Sequence, residues 1–159
     1  MNKLFWTLVL AFISFDIHAQ GNTIEGFWAT SGAIIEVKVC HDLICAEIVH
    51  VFVEDGVDPL TVLDENNKEE KLRDRALVGI NIFDGFGKSE VRKKKLDGGK
   101  IYAPKRGRFY DAQLSLLSNG NFLVEGCLLF ICDQEEWLPL NVTVNPDGSR
   151  NATLRNEGV

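Results

Sequence analysis

The chain is poor in the residues that usually carry chemistry. Among 159 residues there are four cysteines, three histidines, two tyrosines and one methionine. It has no H-E-x-x-H pair, no phosphate-binding glycine loop and no serine in a nucleophile elbow. The motifs of a zinc hydrolase, an NTPase or an α/β-hydrolase are therefore missing. Gly85-Phe86-Gly87 resembles the start of a dinucleotide loop, but residues 88–91 break the pattern. Carboxylates are plentiful, and no spacing selects a catalytic pair. An enzymatic site, for example that of an envelope hydrolase, would have to draw on Arg73, Tyr102, Tyr110 and Asp111. The expectation is a non-enzymatic protein with no catalytic residues, no cofactor and no bound metal.

Long apolar runs are equally scarce. The one candidate, residues 4–15, is twelve residues long, against the roughly 20 that a membrane-spanning helix needs. Lys3 precedes it and Ile17-His18-Ala19 follows, which is the plan of a signal peptide over residues 1–19. Cleavage there leaves residues 20–159, a soluble chain without a transmembrane segment, periplasmic or secreted. One domain is expected over residues 20–140, with a C-terminal extension over 141–159 that could form a short hairpin through Pro146-Asp147-Gly148.

The few cysteines are concentrated. All four lie in two loops of equal spacing, Cys40-His-Asp-Leu-Ile-Cys45 and Cys127-Leu-Leu-Phe-Ile-Cys132. Each interrupts strand-like sequence, so each reads as a hairpin tip whose ends are brought together. Cys40–Cys45 and Cys127–Cys132 are the natural bridges; cross-pairing is second choice among three connectivities, and a zinc site is a weaker alternative. His41 and His50 read as an exposed tip residue and a solvent-facing strand residue, with a metal or acid–base pair as the alternative.

Charge is unevenly spread. The net charge is −6, yet residues 88–108 carry +7. Lys93, Lys94, Lys95, Lys105, Arg106 and Arg108 form a basic patch that is either a solvated hairpin or a contact for an anionic envelope surface. Little aromatic interleaving and an exported chain argue against nucleic acid.

What remains is β-rich. Residues 34–39 alternate apolar with polar, and 46–53 continue as an apolar-rich run after the first cysteine loop, so the two read as a hairpin. Residues 54–75 are polar and read as a long connection, with one or two helical turns from Asn67 as N-cap. Strand character returns over 77–86, 100–103, 108–117 and 122–138, with turns at 104–107 and at Ser118-Asn119-Gly120-Asn121. About eight strands, little helix and no second domain suggest an antiparallel barrel or sandwich.

Several blocks together resemble a family of exported bacterial proteins, the domain of unknown function 2147. They are Gly26-x-Trp28-x-Thr30, Cys40-x4-Cys45-Ala46, Leu72-Arg73-Asp74-Arg75-Ala76-Leu77-Val78-Gly79, Gly98-Gly99-Lys100-Ile101-Tyr102-Ala103-Pro104, and Glu125-Gly126-Cys127 with Trp137. The chain departs from the family pattern at Ala76, Leu96 and Ala103. The resemblance implies a lipocalin-like β-barrel in which Gly26 and Trp28 form the base motif. It also implies a small, mostly apolar or amphipathic ligand in the cup. Phe52, Phe83, Tyr102, Tyr110, Leu114 and Phe122 are the candidate lining residues, with ordinary core packing the first reading of each.

Export makes one direct prediction. Protein recovered from a bacterial host should begin at Gln20 and contain no alkylatable thiol, as read by N-terminal sequencing and intact mass. Retained residues 1–19 or two free thiols would contradict it.

Overall fold

The computed structural model describes residues 23–146 and 150–155. The segment read as a signal peptide, and the turn at 147–149, lie outside the described residues. Nine strands form one antiparallel sheet: β1 (Gly26–Ala29), β2 (Ala33–Cys40), β3 (Leu43–Val51), β4 (Phe83–Asp84), β5 (Lys95–Ala103), β6 (Arg108–Leu116), β7 (Phe122–Leu128), β8 (Ile131–Val144) and β9 (Arg150–Leu154). Their order is β3-β2-β1-β8-β7-β6-β5-β4, with β9 added to the far part of β8. Among the described residues, helical structure is limited to three single 3₁₀ turns, Pro59–Thr61, Glu70–Leu72 and Lys88–Glu90.

The sheet curls until its two outer strands meet. Gly79 N donates to Ile48 O (2.8 Å), Ile48 N to Ile80 O (2.9 Å), Ile82 N to Ala46 O (2.7 Å) and Ile44 N to Phe86 O (2.9 Å). The expected strand over 77–86 is thus mostly an irregular closing segment, and only Phe83–Asp84 pairs regularly with β5. The Asn81 side chain covers the irregularity: its Oδ1 accepts from Ala46 N and Phe83 N, and its Nδ2 donates to Phe83 O. Closure leaves no long unpaired edge between β3 and β4.

Strand directions sort the connections into two ends. At one end, the base, lie the hairpin turn at His41-Asp42, residues 87–94 and the turn at 117–121. The other end, the mouth, carries residues 30–32, the long connection 52–78, the turn 104–107 and the turn at Leu129-Phe130. Both cysteine pairs are disulfides, Cys40–Cys45 at the base and Cys127–Cys132 at the mouth.

The base half of the interior is packed solid. Trp28, Phe83, Phe86, Phe122 and Trp137 are buried together with Ile35, Val37, Ile44, Leu96 and Leu114. Trp28 lies 5.1 Å from Phe122 and Phe83 is stacked on Trp137 at 5.8 Å, both centroid to centroid. The Trp28 indole N–H donates to Ile24 O at 2.9 Å, so the plug carries no unpaired donor.

One glycine decides which side chains face this interior. Leu96 opposes Leu114, but Gly99 opposes Ala112, so β5 spends three residues where β6 spends two. This is a β-bulge, with Gly98 at φ +83, a conformation that suits glycine. Past the bulge the alternation is inverted: Ile101 faces inward with Tyr110, and Tyr102 faces outward with Phe109.

Tyr102 is nevertheless buried, because the long connection straps over the outer wall. Its hydroxyl donates to Asp64 Oδ1 at 2.7 Å; Asn67 Nδ2 donates to Asp64 Oδ2 (2.7 Å) and to the Tyr102 oxygen (2.8 Å). Arg75 closes the cluster with a 2.8 Å ion pair to Asp64 Oδ2 and a guanidinium 5.6 Å from the Tyr102 ring centre. Arg73 Nε donates to Asn67 O. Asn67 therefore acts as a buried linchpin, not the helix cap expected of it, although its Oδ1 still accepts from Glu69 N. Gly107, at φ +65, lies against the strap: a Cβ there would fall 1.7 Å from Asn66 O.

Burial, reinforced by the Asp64 carboxylate, pushes the Tyr102 phenol from 10.0 up to about 12. The folded-state value is raised, so the stability it confers is full below about pH 10 and is lost as pH climbs toward 12. Tyr102→Phe should cost about 1–3 kcal/mol near neutrality, because it leaves a buried carboxylate oxygen without its donor. The gap to wild type should close between pH 10 and 12 in thermal melts; a gap independent of pH would refute the clasp. Gly98→Val should cost a further, separate ~1–3 kcal/mol through backbone strain. Denaturant midpoints of the single and double variants check that the two costs add.

Candidate functional site at the mouth of the barrel

Above the aromatic plug the inner face changes character. Its residues become small or half-exposed: Ala112, Gly126, Ile101, Tyr110, Ala33, Val51 and Leu77. Gly99 gives its space to the Phe86 ring, whose atoms come within 2.6 Å of where a Cβ would stand. Phe86 therefore floors this region. Gly126 sits between Ile101 and Tyr110, and even a methyl group there would lie 3.3 Å from Ile101 Cγ2 and 3.5 Å from Tyr110 Cβ.

Polar groups stand at the rim of the apolar floor. The inner-face pairing continues from Val124 to Glu135 and from Gly126 to Asp133. Glu135 is held in place: Oε1 accepts from Ser31 N at 2.7 Å and Oε2 from the Trp137 indole N–H at 3.1 Å. That second bond ties the rim to the plug. Arg108 places its guanidinium 5.9 Å from the centre of the Tyr110 ring. The mouth thus combines an apolar wall, a phenol, a cation and an anchored carboxylate.

The structure distributes the expected lining residues among three environments. Phe83, Leu114 and Phe122 belong to the buried plug, and Tyr110 is the one at the half-open mouth. Phe52 does not line the interior: it is 49% exposed, because Val51 pairs inward with Ala33 and the next residue must point out. Tyr102 does not line it either, for the reason the bulge supplies. Gly26 and Trp28 lie on β1 at the base end, where the Trp28 indole N–H donates to Ile24 O. The four residues weighed for an enzymatic site are not gathered. Tyr102 and Tyr110 are on opposite faces, Asp111 is exposed, and Arg73 binds the strap backbone.

The basic patch also divides. Lys93, Lys94 and Lys95 lie at the base and Lys105, Arg106 and Arg108 at the mouth. The nine residues of β5 separate them, roughly 30 Å at strand rise. Lys93 is further engaged by Glu90 at 2.7 Å. Sequence reasoning missed Asp64, which holds the strap, and Glu135, and it read Asn67 only as a helix cap. A shallow external recess of about 160 Å³, lined by Phe27, Ile34, Val49, His50, Val142, Arg150 and Ala152, lies on the outer side of the sheet. Among the described residues no helix is long and apolar enough to cross a membrane.

The barrel has a solved counterpart. A Helicobacter pylori protein, HP1028, described as belonging to the lipocalin family, is similar in structure with a TM-score of 0.60. The match covers 74% of this chain and 82% of that one at 21% identity, which establishes a shared fold. No curated protein matches the chain. Residues 26–138 match a family described as an uncharacterized protein conserved in bacteria. That span runs from the start of β1, through the strap and the bulge, to the rim carboxylate and the second tryptophan of the plug; the chain, whose own barrel is lipocalin-like in fold, belongs to the DUF2147 family.

Proposed function

We propose that this is an exported bacterial lipocalin-like protein that binds one small, mostly apolar ligand at the mouth of its barrel. The observation that carries the reading is the asymmetry of the interior. The base is filled by five large aromatic side chains, whereas the mouth is walled by small and half-exposed residues with polar groups only at the rim. Apolar wall residues with a few polar groups at their edge are the kind of lining from which small-molecule sites are built. Because Phe86 and the plug occupy the lower half, the ligand is short: a ring or a brief acyl segment against Ile101 and Tyr110, its polar end toward Arg108. The two disulfides support residence in an oxidising compartment, periplasmic or extracellular.

Titration with a fluorescent short-chain fatty-acid probe tests this, alongside native mass spectrometry of protein purified without detergent. Wild type should bind the probe at one site. Tyr110→Ala should weaken binding about tenfold or more, a loss of roughly 1.4 kcal/mol, and Gly126→Leu should occlude the site. Both variants should keep the wild-type circular dichroism spectrum. No probe binding by wild type, or unchanged affinity in both variants, would overturn the reading.

A further inference from the structure

The recess on the outer wall is built by features that the barrel itself does not need. Its floor is Phe27 on β1 and Ile34 on β2, each the outward neighbour of a core residue, Trp28 and Ile35. A β-bulge supplies the next side. Ile34 pairs with His50 and Ile35 with Ile48, so Val49 is one residue too many on β3. Strict alternation would send Val49 and His50 to opposite faces. The bulge brings both to the recess, an apolar side chain and an imidazole together.

The opposite side belongs to the last two strands. Val142 on β8 and Ala152 on β9 are cross-strand partners, and both line the recess. Arg150, at the start of β9, lines it too. The barrel is complete through β3-β2-β1-β8-β7-β6-β5-β4, and β9 lies off that path, so it closes nothing. It adds no core either, since every residue of β9 is exposed. Its contribution is the second wall of a recess of about 160 Å³.

Size and chemistry set the class of ligand. An apolar cavity of roughly 150 Å³ holds one benzene, so this recess takes a single ring and no long chain. Phe27, Ile34, Val49 and Val142 are half-buried, whereas the two polar lining residues, His50 and Arg150, are exposed at the rim. Among the described residues neither is engaged in an ion pair. The His50 ring meets only Phe52, 5.8 Å away between centres. No acid lines the recess. Glu36, paired with Phe27 in the ladder, is held by Lys38 at 2.7 Å, and Glu47 by the same lysine at 2.8 Å. Glu25 accepts from Thr23 Oγ1. An unengaged guanidinium presents paired N–H donors that match a carboxylate, and a neighbouring imidazole adds one more.

We propose that this recess is a binding site on the outer wall for a monocyclic aromatic carboxylate. The ring lies on Phe27, Ile34 and Val49 and against Val142 and Ala152; the carboxylate meets the Arg150 guanidinium, with the His50 imidazole donating alongside. The site is independent of the ligand reading at the mouth, since it lies outside the barrel and shares no residue with it.

Benzoate titrated into the isotope-labelled mature protein, followed by backbone amide NMR shifts, tests it. Saturable shifts are expected at His50, Val142 and Ala152, and none at Tyr110 or Gly126. Arg150→Gln should weaken benzoate about tenfold and leave benzyl alcohol, the same ring without the charge, at its wild-type affinity. Ala152→Leu, which fills the recess from an exposed strand, should abolish binding of both. Acetate, the carboxylate without the ring, should give no saturable shift at the same concentrations. Both variants should keep the wild-type circular dichroism spectrum and the fatty-acid probe affinity of the mouth. No saturable shift with benzoate, shifts confined to the mouth, or equal benzoate affinity in wild type and Arg150→Gln would overturn the proposal. So would acetate matching benzoate, which would reduce the recess to a bare anion contact.

Discussion

One extra residue in β5 governs the arrangement of the whole mouth. A barrel strand presents alternate side chains to inside and outside, so an insertion of one inverts everything beyond it. The bulge at Gly98 moves Ile101 into the interior beside Tyr110, and sends Tyr102 to the outer wall. From there the Tyr102 hydroxyl meets Asp64, which gathers Asn67 and Arg75 and fixes the long connection against β5 and β6. Without the bulge Tyr102 would fill the mouth, and the buried carboxylate would have no phenol to pair with. The floor depends on the same element, since the neighbouring Gly99 makes way for Phe86.

Much of the fold is legible in the sequence because the period-2 pattern of β2 and β3, the Asn119-Gly120 turn and the paired cysteine spacings are all local signals. Closure is different. Residues 79–88 pair with β3 across more than thirty residues of chain, and Asn81 satisfies backbone groups that no regular strand would leave open. Nothing local distinguishes that asparagine from a turn residue. The length of β5 was equally hidden. Gly98-Gly99 looks like an interruption before a strand beginning at Lys100, whereas the strand runs through it as a bulge from Lys95.

The site was legible in residue type more than in placement. The resemblance names aromatic residues as lining candidates, but nothing local shows that the bulge sends Tyr102 outward or that Phe52 turns away after Val51. The basic run from Lys93 to Arg108 looked continuous because it is continuous along the chain. Its two halves occupy opposite ends because a full strand lies between them. Asp64, in a polar stretch with no apolar periodicity, gave no sign that its side chain is wholly buried.

The strap also bears on traffic through the mouth. Lipid-binding barrels are often pictured with a loop folded across the opening, so that entry and exit wait for that loop to swing. Here the longest connection is pinned to the outer wall by a buried carboxylate with four donor contacts from three side chains. It cannot lift without breaking that cluster, and it does not need to. If the mouth holds the small ligand proposed above, this pinned loop does not gate it, and exchange is set by encounter and by how tightly the wall holds its guest.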